Sequence, residues 1–325
     1  MKTRQLELKS ILFLVFASAC WGIGTSVTKY ALTEVPSLTL LTIQLSVSVV
    51  CLWLGVAISG ACVPSGRYWL ALGILGWLNP GLSYTFGLMG LAATTASMSA
   101  LLWATEPVLI GVLSWTILGE RPAAVVVGLS VCALVGVLLT VGLSSSTTTG
   151  GSALGNGLIL LGVGCCALYT VGSSRLDPTL DPLSVIAMQQ SMALVWALSL
   201  MSTQSRMVLI SAPQTYAVSA WISALLSGVL YYALAFWFYL HGLKRVGAVF
   251  AGVFINLVPV FGVASAYLFL HEQLLRMQWL GAGMILCAVV LIALWQAYKT
   301  RATSFPLLKA VAKANKLKKL KAPAR

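Results

Sequence analysis

The sequence predicts an all-α membrane protein of ten transmembrane helices, built as two inverted five-helix repeats. Three observations carry that expectation. The 325-residue chain is 59% hydrophobic and only 8% charged, with a mean hydropathy of +0.95, whereas soluble domains carry roughly 25% charge. Its apolar stretches run to about 20 residues, enough to cross a hydrocarbon core about 30 Å thick. Finally, the block from Phe86 to Glu120 recurs 152 residues later without a gap. Phe86, Gly90, Leu91, Ala96, Pro107, Val108, Leu118 and Glu120 match Phe238, Gly242, Leu243, Ala248, Pro259, Val260, Leu270 and Glu272. With 11 prolines and 7 acids in the whole chain, few chance alignments keep a proline and a glutamate in step.

The expected spans follow in order. The first, 11–31, is longer than the 7–15 apolar residues of a signal peptide and reads as an uncleaved anchor. The second is 37–59. The third and fourth, 68–89 and 92–117, divide near Gly90 and Leu91. The link Gly119-Glu120-Arg121-Pro122 leads into the fifth, 122–143. The second half supplies 156–175, 183–203, 218–240, 245–270 and 277–297, with Asp177-Pro178 to Asp181-Pro182 between its first two spans. The chain thus divides into a short N-terminus (1–10), a first repeat (11–145), a second repeat (156–297) and a basic tail (298–325). Each half has five spans, an odd number, so the second half enters the membrane in the opposite sense. The repeats are inverted about an axis in the membrane plane.

Charge tests the count. Ten spans put both termini on one side, with Lys2, Arg4, Lys9, Arg67, Arg121, Arg175, Lys244, Arg245 and the nine basic residues from Lys299 onward. Only Lys29, Arg206 and Arg276 fall on the other side. Positive residues stay cytoplasmic, so both termini are expected inside a plasma (inner) membrane, with Glu34 and Arg276 outside. The net charge of +13 is concentrated in the tail. That tail reads as a device that fixes orientation, with attraction to anionic lipid as the alternative and no nucleic-acid partner. The seven cysteines lie nearly all within spans as small apolar residues. With only His241 and His271, no metal or other cofactor is expected. An intramembrane enzyme would need an acid–base pair, nucleophile or metal cluster at membrane depth, and neither histidine supplies one.

Some polar residues are expensive where they fall. Glu106 lies mid-span beside Pro107. A carboxylate at membrane depth costs several kcal/mol, so such groups usually face a cavity or a partner and can take up and release a proton. Thr95, Ser99, Trp103 and Glu106 share one helical face. The competing reading of Glu106 is a protonated acid hydrogen-bonded between helices; its repeat partner is Val258. Asn79-Pro80-Gly81, followed by Ser83 and Tyr84, marks a broken helix or an ordinary kink. Asn256, three residues before Pro259, is the polar group in span nine. Trp21, Trp103, Tyr169 and the span-eight cluster containing Tyr231 and Tyr232 line a cavity or pack toward lipid. Glu120 and Glu272 end spans four and nine, where an acid suits the start of the next helix.

The pattern resembles the drug/metabolite transporter superfamily, in particular its ten-span members with two EamA domains. The resemblance rests on Cys20-Trp21-Gly22 with Lys29, on Pro107 with Gly119-Glu120-Arg121, on Gly128 and Gly136, and on Arg175, Pro259, Glu272 and Gly281. It covers residues 11–297, with departures at His271-Glu272-Gln273 and Cys166-Ala167. It implies a cavity lined by spans 1, 3, 4, 6, 8 and 9, spans 5 and 10 available for a homodimer contact, and secondary transport of a small-molecule substrate, often export. The candidate site is then Glu106, Trp103, Ser99, Asn79, Tyr84, Asn256, Trp21, Tyr169 and Tyr232, with Pro107, Glu120, Pro259 and Glu272 as structural motif residues. A proton-coupled multidrug exporter is the rival within transport, and a channel or membrane scaffold the rival outside it.

Overall fold

The computed structural model describes residues 2–119, 123–142, 152–177, 179–208, 216–246 and 254–292, with 294, 295 and 298. Its regular structure is helical. Among the described residues, six helices are long and apolar enough to cross a membrane: Lys9–Ala31, Ser37–Ser59, Ala96–Ile117, Ala153–Ser173, Pro182–Thr203 and Val218–Gly242. Shorter apolar helices cover Ala124–Leu139, Val258–Leu270 and Arg276–Ile292.

In chain order, α1 is Lys2–Ala31 and α2 is Ser37–Ser59. The next stretch is α3 (Trp69–Gly76), a π-helical turn (Trp77–Leu82) and α4 (Ser83–Ala93). Helix geometry runs through Gly90 and Leu91 and stops at Thr94, which corrects the expected division at Gly90. That glycine serves packing instead of a turn. A Cβ there would lie 2.6 Å from the Gly155 carbonyl oxygen and 2.9 Å from the Ile159 nitrogen, so its absence lets two backbones touch. Then come α5 (Ala96–Trp103), α6 (Glu106–Leu118), α7 (Ala124–Gly142), α8 (Ala153–Ser173) and α9 (Pro182–Val208). Helix α10 (Val218–Ser227) passes through a second π-helical turn, Gly228–Leu234, into α11 (Ala235–Val246). Helix α12 is Val258–Leu270 and α13 is Arg276–Ile292.

The contacts that each half makes on the other come in matching pairs. Helix α4 packs on α8, and α11 packs on α1. At the first crossing Gly90 meets Gly155 and Ile159; at the second Gly242 meets Ser10 and Leu14. The π-turn after Gly76 rests on Gln189 of α9, and the one after Gly228 rests on Gln44 of α2. A β-carbon at Gly76 or Gly90 would enter the facing backbone, one at Gly242 would press on the Leu14 side chain, and one at Gly228 would stand tight against Gln44. A third glycine contact joins α1 to α12 and α5. A Cβ on Gly22 would come within 2.7 Å of the Gly262 nitrogen, and one on Gly262 within 2.6 Å of the Ala100 Cβ.

The distribution of polarity is inside-out. Gln44, Ser48, Asn156, Gln189 and Gln190 are buried among the helices, while Ile58 and Leu70 are 86% and 77% exposed. Hydrocarbon solvates the apolar outer faces, so helix association falls to close packing and interhelical hydrogen bonds. Those bonds are present. Gln44 donates to Thr28 Oγ1 (3.1 Å) and Ser227 Oγ (2.7 Å), Ser48 donates to Gln190 (2.6 Å) and Thr94 donates to Asn156 (2.7 Å).

Two loop acids grip the starts of distant segments. The Glu34 carboxylate accepts the Ala217 amide (2.9 Å) just ahead of α10. The Asp177 carboxylate accepts the Tyr68 hydroxyl (2.8 Å) just ahead of α3. It also accepts the Thr179 hydroxyl (2.6 Å) and amide (2.9 Å). The Thr179 hydroxyl first, then the Thr179 amide and the Tyr68 hydroxyl, hold Asp177 down at a pKa of about 2.

Candidate functional site

The site is built where helices are interrupted. Pro107 breaks nothing within a helix: it occupies the first turn of α6, where a missing N–H costs no bond. The interruption is the turn at Ala104 and Thr105, tied by the Thr105 hydroxyl to the Leu102 carbonyl (2.7 Å). Pro259 opens α12 in the same way, after a turn at Asn256 and Leu257. Glu106 therefore sits in the first turn of a helix, where free amides favour a negative charge.

A small cavity lies between α1, α4, α5 and the Gly228–Leu234 turn. It is lined in part by Thr25, Thr28, Tyr84, Ser99, Trp103 and Tyr232, and its volume is about 30 Å³. That holds a few waters at most, against roughly 300–1,000 Å³ for typical small-molecule sites. Its wall is aromatic. Tyr84 meets Trp103, Tyr231 and Tyr232 edge-on, with ring centroids 5.8, 5.7 and 5.1 Å apart. Gly87 makes room for Trp103, whose Cζ2 lies 3.1 Å from where a β-carbon would stand.

Of the expected site residues, Ser99, Trp103, Tyr84 and Tyr232 line this cavity. Glu106 lies across the helix break from them, half-buried against α8. Its Oε1 accepts from the Cys166 thiol (3.3 Å) and the Thr170 hydroxyl (3.4 Å). The Thr170 contact is long and that hydroxyl also donates to the Cys166 carbonyl (3.0 Å), while a thiol is a weak donor, so the carboxyl is weakly held. It stands within electrostatic range of Tyr84, Tyr169, Tyr231 and Tyr239.

The other expected residues sit elsewhere. Tyr169 donates its hydroxyl to Gln189 (2.9 Å). Trp21 stacks edge-on against Phe236 (5.3 Å) and tilts over Tyr239 (5.7 Å), on the Glu106 side of Gly22. Asn79 has extended backbone angles (φ −147°, ψ 121°) inside the first π-turn, and its buried Oδ1 has no hydrogen-bond partner. Asn256 is buried at the interruption before α12. Neither asparagine lines the cavity. Glu120 lies outside the described residues. Glu272 caps a helix, though a different one from that expected. Its two oxygens accept the amides of Ala96 (2.7 Å) and Ser97 (2.8 Å) at the start of α5, not of the helix that follows it.

Thr25, Thr28, Cys166 and Thr170 were not anticipated. Trp21, Thr25 and Thr28 do form a polar stripe at helical spacing, which was the available signal in α1. Contacts from α8 to Glu106 join residues about 60 apart and left no such trace.

Comparison with known proteins places these features in context. The EamA-like transporter family matches twice, over residues 8–142 and 153–294. Over 207 residues the chain is 28% identical to the uncharacterized transporter YetK of Bacillus subtilis (strain 168); the match takes in 61% of this chain and 60% of that protein's length. A chain from a solved crystal structure superposes with a TM-score of 0.60 at 17% identity, covering 88% of this chain and 96% of its own. That last likeness is one of fold alone.

Proposed function

Because the chain belongs to the EamA-like transporter family, we propose that it is a secondary carrier that exports a small organic solute, amino-acid-like or of similar size, by alternating access. Family membership makes it a multi-pass membrane transporter, and points away from an enzyme. The finer reading takes the helices as ten spans in two inverted repeats, 11–145 and 156–297, with both termini cytoplasmic and the basic tail (298–325) on that side. A homodimer contact through the fifth and tenth spans belongs to the same reading.

One observation carries it. The interruptions in the third and fourth spans recur at the same repeat positions in the eighth and ninth, and an aromatic cavity sits among them. Carriers build central sites from discontinuous helices of both repeats. Ser99, Trp103, Tyr84 and Tyr232 would hold the solute, with Glu106 at the next level.

Counterflow in proteoliposomes tests this. A carrier preloaded with unlabelled amino acids or related solutes accumulates the labelled compound transiently. Uptake that merely equilibrates indicates a channel, and no uptake across a broad solute panel indicates a scaffold. A reporter fused after Arg325 tests the orientation; an external signal defeats the ten-span topology. The weak hold on Glu106 favours one second reading, a proton-coupled multidrug exporter. There an imposed pH gradient would drive uptake of lipophilic cations, and Glu106→Gln would abolish that drive.

A further inference from the structure

Opposite charges hold the α4–α5 hairpin from both sides. Lys29, in the last turn of α1, donates from Nζ to the carbonyls of Leu91 (2.8 Å) and Ala92 (3.3 Å) at the end of α4. Glu272, just past α12, accepts the Ala96 and Ser97 amides at the start of α5. A cation thus meets orphan carbonyls and an anion meets orphan amides, the sign that each helix end favours. Both charges come from outside the hairpin, on helices joined by the Ser26–Ser265 hydroxyl pair (2.7 Å). Lys29 and Glu272 are within electrostatic range of each other, yet each takes a helix end in place of a mutual ion pair.

This arrangement caps the aromatic cavity. Leu91, whose carbonyl Lys29 holds, is part of the cavity wall, as are Thr28 beside Lys29 and Ser99, two residues past Ser97. We propose that Lys29 and Glu272 are the gate that closes the cavity toward the side of the membrane away from the termini. The proposal rests on the alternating-access reading above. A cavity of about 30 Å³ admits a metabolite from that side only if the Leu91 and Ser99 walls part. Parting them draws the Leu91 carbonyl off Lys29 or the Ala96 and Ser97 amides off Glu272. The gate is therefore a pair of charge-assisted helix-end contacts, and the break of either one leaves that side of the hairpin free to swing.

The test uses the full chain with its seven native cysteines replaced by alanine and Ser99→Cys as reporter. A membrane-impermeant maleimide is applied from the side away from the termini. Lys29→Met and Glu272→Gln should each raise the labelling rate about fivefold or more, the factor that loss of about 1 kcal/mol of closing free energy gives. The exchange Lys29→Glu with Glu272→Lys puts the wrong sign at both helix ends and should label at least as fast. Size-exclusion profiles matching the parent certify the fold of each variant. Unchanged labelling in both single variants overturns the gate. Restored slow labelling in the exchanged variant also overturns it, because only a direct ion pair survives the swap. Labelling needs no solute, so a chain without counterflow that still labels faster defeats the carrier reading and leaves the gate standing.

Discussion

The helical stretches 69–93 and 218–246 bend at equivalent positions by the same backbone device, but only one of the two turns contains a proline. Trp77–Leu82 carries Asn79-Pro80-Gly81, whereas Gly228–Leu234 carries Tyr231-Tyr232-Ala233 at the matching positions. The shared element is the glycine at the head of each turn, Gly76 just before the first and Gly228 opening the second, set against the backbone of Gln189 or Gln44. The π-turn therefore follows from a helix crossing, with proline an accessory in one copy. The chemistry within the turns diverges: the first presents a buried amide, the second two cavity-lining tyrosines. Helices α6 and α12 repeat the lesson, with Glu106 after one interruption and Val258 after the other. Backbone geometry is duplicated between the halves while the side chains are specialised.

The largest expected effect breaks the shared device. A β-carbon at Gly76 would collide with the Gln189 carbonyl, while one at Gly228 would stand 3.0 Å from the Gln44 Cα. Gly76→Val should cost about 3 kcal/mol or more through overpacking and abolish folded protein in detergent. Gly228→Ala should cost about 1 kcal/mol and merely lower the melting temperature. Equal losses for the two variants would refute a common crossing of unequal tightness.

Next comes the specialised chemistry. Glu106→Gln retains shape and removes ionisation, so exchange should fall about tenfold, or about 1.4 kcal/mol in barrier, and its pH profile should flatten. Val258→Thr, the matching change in the other half, should leave exchange within about twofold, below 0.5 kcal/mol. An unchanged pH profile in Glu106→Gln would assign the carboxyl to packing against Cys166 and Thr170.

Gly119 and His271 close α6 and α12 in the same left-handed conformation, at φ 73° and 53°. Only the glycine adopts it without strain, the other paying about 1–2 kcal/mol. His271→Gly should accordingly stabilise the protein by about 1 kcal/mol, read as a raised melting temperature. No gain would mean that contacts of the imidazole offset the strain.

The smallest effect concerns the loop acids. Asp177 has its folded-state pKa near 2, below the ordinary value of about 3.9. Its contribution is complete above pH of about 4 and is lost as pH falls through about 2. Asp177→Asn should slightly lower the melting temperature at pH 6, with the gap to wild type closing near pH 2. A gap that persists in acid would locate the effect in the Thr179 turn geometry and not in the charge.

Legibility in the sequence followed the rarity of residues. The helical class, the span Ser37–Ser59 and the interruption beside Pro80 were readable because prolines and long apolar runs are local signals. The breaks at 104–105 and 256–257, in contrast, interrupt spans that read as continuous, with Glu106 placed on one face with Ser99 and Trp103. Glu106 stood out as an acid in an apolar run. The π-turn at Gly228–Leu234 was hidden, since no residue within it breaks a helix. The earlier part of the internal repeat was also hidden. Ser10, Leu14 and Gln44 recur as Gly155, Ile159 and Gln189 at a spacing of 145, while Gly76 and Gly90 recur as Gly228 and Gly242 at 152. Seven extra residues between Gln189 and Gly228, relative to the interval from Gln44 to Gly76, put α1 and α2 out of register with the helices that follow. Contacts such as Lys29 to Leu91 or Cys166 to Glu106 exist only after helices distant in sequence have packed, and no local pattern encodes them.

The contact between Gly22 and Gly262 has a mechanical consequence. No long side chain stands between the two backbones there, so α1 can tilt against α12 about this point, with the Ser26–Ser265 hydroxyl pair adjusting beside it. Lys29 is seven residues from that crossing, about 10 Å along the helix at 1.5 Å per residue, while Val258, the counterpart of Glu106, presents its carbonyl to Gly22 at the crossing itself. The crossing is a fulcrum with Lys29 at the end of one arm. A few degrees of tilt separate one end while pressing the other together, and a side chain at either glycine would seize the bearing.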